Sequence, residues 1–397
     1  MHIPFCEKKC GYCDFYSVKS DETTHSAYVS ALIKQIKEYS ISAKENTVDT
    51  VFIGGGTPTS IESNLLLSVI KQIKTSFNLA KNIEFTVEVN PKTIDLKGLK
   101  KLRKAGVNRL SIGLQSTHDK ELKILSRIHN YNDFLECYEN VKSAGFENIN
   151  IDLMYGIPAQ TVKSFYETLR KAVNLKPPHI SAYGLKIEPG TSFYKNIDKL
   201  QPYLPSEEDE SNMYMMCCEL LSRAGYEQYE ISNFSKRSYE CKHNLKYWNC
   251  SEYIGLGTGA HSYYFNCRFS FKKSITEYIQ NLNYTEHNLK KVDVFDIDSY
   301  SLFDEHYEIM PNERIGEYVM LSFRLSAGID TNKFAKLFYK DFDSVYYHKI
   351  AQFIDSGHIV KTSTGYAFSR EGMFVSNYIL SRIIDFELEI NTWENKL

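Results

Sequence analysis

The stretch HIPFCEKKCGYCDFYS, residues 2–17, opens on a short apolar strand at 2–5 and runs at once into Cys6, Cys10 and Cys13, spaced Cys-x3-Cys-x2-Cys. That spacing is compact enough for one loop to wrap three thiolates around a single metal centre. Iron–sulfur clusters normally take four cysteine thiolates, so a loop with three leaves one iron open to a small molecule. A zinc site is the alternative, although structural zinc prefers four protein ligands and no second Cys or His pair follows in register. Short cysteine patterns also arise by accident, which leaves three unremarkable thiols as the remaining reading.

A strand followed directly by chemistry is a theme the rest of the first half repeats. Segments rich in Val, Ile, Phe or Leu lie at 50–53, 83–89, 109–114, 148–154 and 179–185. Between them, Val29, Leu32, Ile33 and Ile36 recur at helical spacing, as do Leu66, Ile70, Ile73 and Phe77, and Phe165, Leu169, Ala172 and Val173. Alternating units of this kind predict a parallel sheet with helical crossovers packed outside it. With 2–5 included there are six units, short of the eight that close a full barrel. The expected fold class is therefore α/β, a partial (β/α)6 barrel of TIM type over residues 1–200, with its site at the C-terminal ends of the strands.

From Pro202 to Ser262 the alternation breaks down. An acidic stretch (Glu207, Glu208, Asp209, Glu210), a helix ending at Gly225 and an aromatic, Gly-rich segment predict a cap or extension over residues 201–300. Beyond Glu305, helices such as 346–356 precede two short strands, 359–362 and 366–369, and a last helix. That order predicts a small winged-helix-like domain over residues 301–397.

Length and charge narrow the function classes. A chain of 397 residues can bury a substantial core and carry one large domain with smaller ones. Its 47 Lys and Arg against 49 Asp and Glu leave a net charge of -2 with the signs interspersed, which offers no broad basic field to nucleic acid or to an anionic membrane. No run of about 18 apolar residues occurs, and the N-terminus lacks the order of a signal peptide, so a cytoplasmic location is expected. In a reducing compartment the nine cysteines are poor disulfide candidates, and the crowding of three in the first thirteen residues asks for a metal. There is no internal repeat or low-complexity tract.

Further motifs follow in order: FIGGGTPTS (52–60), VEVNP (87–91), RLSIGLQS (109–116), IDLMYGIP (151–158), KHNLKYWN (242–249) and IGLGTGAHS (254–262). On these and the cysteine loop, the sequence resembles the radical S-adenosylmethionine (SAM) superfamily, and within it the oxygen-independent coproporphyrinogen oxidase group. The C-terminal region is similar, on weaker signals, to that group's accessory domain. The resemblance implies a 4Fe-4S cluster on Cys6, Cys10 and Cys13, with the amino and carboxylate groups of SAM on the open iron. It also implies reductive cleavage of the sulfonium to a deoxyadenosyl radical, the protein orienting and shielding its cofactors.

The resemblance extends to residues around SAM. Gly55 and Gly56 in the Gly54–Gly56 run would approach the SAM amino group, helped by Thr57; a plain tight turn ahead of Pro58 is the other reading. Glu88, Gln115, Arg127 and Asp152 would bind SAM, with Asp152 suited to the ribose hydroxyls and Arg127 to the carboxylate. Acids on apolar strands are expensive unless paired, whereas a lone Arg127 would otherwise be read as a solvated helix residue. Tyr12 would pack near adenine or merely fill the loop, and His261 would supply a backbone contact or sit in the core. The family also places a SAM-contacting tyrosine two positions ahead of His2, where this sequence has no residue, so a start upstream of Met1 is expected.

Phe15 occupies the place of a fourth cysteine found in the oxidases, and this matches the HemW-like branch, which binds and delivers haem. The segment His243-Asn244-Leu245-Lys246-Tyr247-Trp248 has that branch's HNxxYW form. A neutral imidazole is a good axial haem ligand and the aromatics offer flat apolar surface, although an aromatic pair beside a histidine is more often core packing. Cys241, Cys250 and Cys267 are too irregularly spaced for an auxiliary cluster; Cys217 and Cys218 cannot both face one site, and Cys137 reads as core.

Two principal functions follow. One is a haem chaperone that binds haem as cargo with SAM and a cluster, passes haem to acceptor proteins and depends on an electron donor, with peripheral membrane contact and a homodimer as further partners. The other is an enzyme, the oxidative decarboxylase of coproporphyrinogen III, against which Phe15 argues. A different radical SAM reaction, such as methylation or cyclopropanation, is a third. No nucleic-acid role is expected, because Lys333, Lys336 and Lys340 are balanced by Asp330, Asp341 and Asp343.

Overall fold

The structure is a computed structural model that describes residues 1–284 and 302–384. The expected division at 300/301 lies outside the described residues. The first half runs β1 (His2–Ile3), α1 (Glu22–Ser42), β2 (Thr47–Gly55), α2 (Ser63–Ser76), β3 (Asn78–Val89), α3 (Leu96–Ala105) and β4 (Arg109–Gln115). It continues with α4 (Asp119–Ile124), α5 (Tyr131–Ser143), β5 (Asn148–Tyr155), α6 (Val162–Asn174) and β6 (His179–Gly184). Strands β1 to β6 are parallel neighbours in sequence order, each joined to the next through helix, so all six expected units form one sheet.

Two short helices, α7 (Ser192–Lys195) and α8 (Ile197–Leu200), lead to α9 (Glu207–Arg223). Ser206 caps α9 by accepting from the Asp209 N–H, and the four acids fill its first turn, where the helix dipole favours negative charge. Strands β7 (Glu227–Glu230) and β8 (Asn233–Ser235) then add to β6 antiparallel, giving the order β1-β2-β3-β4-β5-β6-β8-β7. The barrel sheet thus runs on to residue 235, past the end of the parallel alternation.

Alternation within the strands sorts their faces. On β4, Leu110, Ile112 and Leu114 join the main core with Phe85, Val87 and Val89 of β3, beside helix residues such as Leu66, Ile70, Phe165 and Leu169. The intervening positions, Glu84, Thr86 and Glu88, then Arg109 and Ser111, Asn150 and Asp152, His179 and Ser181, share the opposite face. There they bond within and across strands: Asn150 Nδ2 reaches Asp152 Oδ1 on its own strand at 2.7 Å, Ser111 Oγ at 2.8 Å and Ser181 Oγ at 2.9 Å, and its Oδ1 meets His179 Nδ1 at 2.6 Å. Burying Ser111, Asn150, Asp152, His179 and Ser181 is tolerable because these five satisfy one another, whereas Thr86 Oγ1 and Arg109 Nε have no partner among the described residues.

The next elements are α10 (Lys242–Trp248), β9 (His261–Tyr264), β10 (Cys267–Phe271), α11 (Ile275–Tyr284) and β11 (Phe303–Glu308), the three strands forming an antiparallel sheet ordered β11-β10-β9. After them come α12 (Pro311–Phe323), β12 (Ile329–Asp330), α13 (Thr331–Phe338), α14 (Phe342–Asp355), β13 (Ile359–Lys361), β14 (Gly365–Phe368), α15 (Arg370–Phe374) and α16 (Ser376–Ile383). Helices beside a small sheet ordered β12-β14-β13 are the winged-helix-like arrangement expected. Among the described residues no helix is long and apolar enough to cross a membrane.

Candidate functional site

The cysteine loop leaves β1 at the C-terminal edge of the sheet and is tied back to it. Cys6 N–H bonds Val18 O at 3.0 Å, Gly11 N–H bonds Leu125 O at 3.3 Å, and Phe193 N–H bonds Gly11 O at 2.8 Å. A Cβ on Gly11 would stand 2.5 Å from the Phe193 ring, so only glycine lets the loop lie this close to α7. Tyr12 packs edge-on to Phe193, their centroids 6.4 Å apart, on a small apolar cluster of Leu125, Met154, Ile157 and Phe193.

Two of the three thiols are linked through one run of hydrogen-bonded side chains, Thr57, Asn90 and Arg127. Cys6 Sγ lies 3.6 Å from Thr57 Oγ1; Asn90 Nδ2 donates to Thr57 Oγ1 at 2.6 Å, and Arg127 Nη2 donates to Asn90 Oδ1 at 2.5 Å. Arg127 Nη1 in turn reaches Cys10 Sγ at 3.7 Å, and Nη2 also bonds Gly113 O at 2.8 Å. Arg127 therefore points inward among polar partners, and the solvated reading does not apply. Asn90 belongs to the motif VEVNP, in which the sequence alone assigns it no role; its place directly after the strand carrying Glu88 is the signal that points to the site.

The donor set suits an iron–sulfur cluster. Three half-buried free thiols lie on one loop, with a guanidinium against one sulfur. Burial raises Cys6 and pushes Cys13 up to about 11, so loading requires these thiols to lose protons to iron. Among the described residues no three His, Cys, Asp or Glu side chains converge as one ion would require; thiolates binding different irons of a cube need not converge.

Across the strand ends, Gly55 N–H donates to Glu88 Oε2 at 3.2 Å. Burial, and then the nearby Asp152, push the Glu88 carboxyl up to about 8. Asp152 accepts from Ser111 Oγ at 3.1 Å as well as from Asn150, and burial raises it too. Gln115, with φ 69° at the strand end, takes the Tyr183 hydroxyl at 2.8 Å, a strained residue of the kind that collects at sites. The glycine run has a packing reason of its own: a Cβ on Gly55 would fall 1.8 Å from the His2 ring, and one on Gly56 would fall 2.6 Å from Phe5 O.

Gly54, Gly55 and Glu88 also line a cavity of about 810 Å³. Phe15, 64% exposed, and Tyr16 line it from the cysteine loop, Phe52 from β2, His261 from β9, and His243 and Tyr247 from α10. Trp248 is not among its lining residues. His243 Nδ1 pairs with Thr50 Oγ1 at 2.8 Å, Nε2 pairs with the Tyr247 hydroxyl at 2.8 Å, and the ring stacks on Phe52 at 5.2 Å. Both ring nitrogens are engaged, so the expected axial use of His243 finds neither of them free. Burial pulls this imidazole down to about 3, which keeps it neutral. Helix α10 has no capping side chain of its own. Glu84, 6% exposed on β3, accepts instead from the Lys242 and His243 N–H groups, each at 3.0 Å.

Cys241, Cys217, Cys218 and Cys137 are buried singly in the core, and Cys250 and Cys267 are half-buried free thiols.

Comparison with known proteins places the chain. A family model described as the Radical SAM superfamily matches residues 1–172, and one described as the HemN C-terminal domain matches 309–375. The heme chaperone HemW of Bacillus subtilis (strain 168) is 32% identical over 385 residues, 97% of this chain and 98% of that protein. The chain belongs to the HemW family of radical SAM proteins. Similarity to the HemW family extends to the Escherichia coli (strain K12) protein, 38% identical over 262 residues, 66% of this chain and 68% of the other. It also reaches the Danio rerio mitochondrial radical S-adenosyl methionine domain-containing protein 1, 33% identical over 66% of this chain and 59% of that one. The solved Escherichia coli coproporphyrinogen III oxidase, HemN, shares the fold at a TM-score of 0.82 over 97% of this chain and 89% of its own, with 21% identity.

Proposed function

We propose that this chain is a haem chaperone that carries a 4Fe-4S cluster and SAM beside a haem cavity and passes haem to acceptor proteins. The observation that carries the reading is the cavity of about 810 Å³ lined by His243 and Tyr247 together with Gly54, Gly55 and Glu88. Pockets for small ligands and cofactors run from roughly 300 to 1,000 Å³ and are mostly apolar with a few placed polar groups.

Cys6, Cys10 and Cys13 hold the cluster, which when loaded supplies the electron for SAM chemistry. Arg127 faces the SAM carboxylate, Asp152 offers unused lone pairs to the ribose hydroxyls, and Tyr12 lies against adenine. Gly55, Gly56, Thr57, Glu88 and Gln115 line the remaining contact, and His261 faces the cavity rather than the cluster loop. Phe15 lines the cavity with a phenyl ring at the place where the oxidases carry a thiol. Three working units belong to the proposal: the barrel over 1–200 with its sheet carried on to residue 235, the extension with HNxxYW over 201–300, and the accessory domain over 301–397, whose first strand β11 pairs with β10 of the extension. An electron donor, peripheral membrane contact, a homodimer and a cytoplasmic location belong to the same proposal.

The test is anaerobic reconstitution followed by parallel incubation with haem and with coproporphyrinogen III. Stoichiometric haem binding and transfer to an apo-acceptor without porphyrinogen turnover is expected. Conversion of propionates to vinyl groups would overturn the assignment.

A further inference from the structure

Between β4 and Arg127 the chain makes a helix with little of its own to hold it in place. Helix α4 spans six residues, and its N-cap, His118, makes no side-chain cap bond; a helix of that length is marginal by itself. Buried Leu122 and Leu125 seat it against the interior, but apolar burial has no direction. Direction comes from Glu121. This side chain is 5% exposed and uses both carboxylate oxygens: Oε2 accepts from Ser116 Oγ at 2.6 Å and from Gln160 Nε2 at 3.1 Å, and Oε1 accepts from Ser164 Oγ at 2.6 Å. Ser116 lies in the turn after β4, Gln160 in the turn after β5 and Ser164 in the first turn of α6. Gln160 passes the link on, donating to Met154 O at 3.2 Å and accepting from the Ile157 N–H at 3.3 Å.

What these bonds hold together is the seat of the cysteine loop. Leu125 O, directly after α4, accepts from the Gly11 N–H at 3.3 Å, and Leu125, Met154 and Ile157 belong to the apolar cluster on which Tyr12 packs. Ser126 then turns the chain at φ 63°, and the Arg127 N–H closes on Leu122 O at 2.9 Å. From that fixed point the guanidinium reaches Cys10 Sγ and Asn90. A backbone acceptor for the loop and a cation for its sulfur thus both start a few residues beyond one buried carboxylate.

We propose that Glu121 is a positioning residue for the cluster and for SAM: by tying the turns after β4 and β5 to each other it sets where Arg127 and the cysteine loop stand. The SAM half rests on the reading of Arg127 as the partner of the SAM carboxylate. The cluster half rests on the contact to Cys10, because hydrogen bonds to the sulfurs are one of the means by which a protein sets a cluster's potential. A guanidinium drawn away from the sulfur takes positive charge with it, so the reduced cluster is less favoured and the potential falls. All three partners of Glu121 are uncharged, so its role is to accept hydrogen bonds rather than to balance a cation.

The experiment uses the full chain reconstituted anaerobically and reads two quantities on the cluster-loaded fraction. They are SAM affinity by calorimetry and the cluster's potential in a redox titration followed by electron paramagnetic resonance. Glu121→Leu fills the space without the bonds, and should weaken SAM binding roughly tenfold and lower the potential. Glu121→Gln should restore both. Its amide oxygen accepts from Ser116 and Gln160, and its NH2 donates to Ser164 Oγ, whose own hydrogen turns to Thr161 O at 3.1 Å. Gln160→Ala leaves the Ser116 and Ser164 bonds in place and should shift both quantities the same way in smaller measure. Parent-like affinity and potential in Glu121→Leu, or in Gln160→Ala where the leucine variant yields no folded protein, would overturn the proposal and leave Glu121 a stabilising residue. Equal impairment in Glu121→Gln and Glu121→Leu would overturn it as well. A parent chain that takes up its cluster yet binds no SAM would remove the SAM reading of Arg127, and the potential would then decide the positioning role.

Discussion

Replacing Glu84 removes the carboxylate that accepts from the first two N–H groups of the helix that carries His243. In Glu84→Ala, the Lys242 and His243 amides, each bonded at 3.0 Å, lose a carboxylate, and the Cys241 thiol loses a contact at 3.5 Å. A hydrogen bond to a charged group contributes about 1.5–3 kcal/mol, but bonds to one shared carboxylate do not add in full. The cap as a whole therefore contributes about 3 kcal/mol, above the roughly 0.5–2 kcal/mol of an exposed capping residue because this one is buried. Glu84→Gln keeps an acceptor oxygen and loses the charge, so about 1–2 kcal/mol is expected. Urea unfolding followed by Trp248 fluorescence measures both, and hydrogen exchange at residues 242–248 localises the effect. A loss below about 0.5 kcal/mol for the alanine variant, with exchange unchanged, would refute the view that Glu84 anchors this helix.

Asn90→Ala should cost about 1–3 kcal/mol through the stranded Thr57 and Arg127 partners and lower iron retention after reconstitution; full iron content would show the loop sets its own geometry. Gly56→Ala drives a methyl to 2.6 Å from Phe5 O, a backbone atom, and should cost about 1–3 kcal/mol in denaturant melts; a neutral result would mean β1 is loosely docked. Glu88 titrates near 8 when folded against an ordinary 4.5, so the folded chain keeps a proton the unfolded chain has lost. Stability should then fall as pH rises from 4.5 to about 8, and Glu88→Gln should flatten that slope; parallel slopes in the two proteins would remove Glu88 as the cause.

The six parallel strands and the cysteine loop were legible because strand and helix periods are local properties of the chain. Strands β7 and β8 were not, since four and three residues carry too little pattern. Arg127 was ambiguous because its direction depends on Asn90 and Gly113, which other strands deliver. The environment of His243 was beyond reach for the same reason: Thr50 is 193 residues away in sequence. Glu84 was within reach. The run IEFTVEV sets Glu84 and Glu88 two strand repeats apart on one face, and only the second was read as functional.

Glu88 and the adjoining glycines form one wall of a cavity that Phe15 and Tyr16 of the cysteine loop and His243 and Tyr247 of α10 also line. Such a wall cannot be pushed by one ligand in private. By thermodynamic reciprocity, any factor by which the nucleotide changes cargo affinity must equal the factor by which cargo changes nucleotide affinity. Two isotherms, each ligand titrated with and without the other, would close that cycle and put a number on how stiff the wall is.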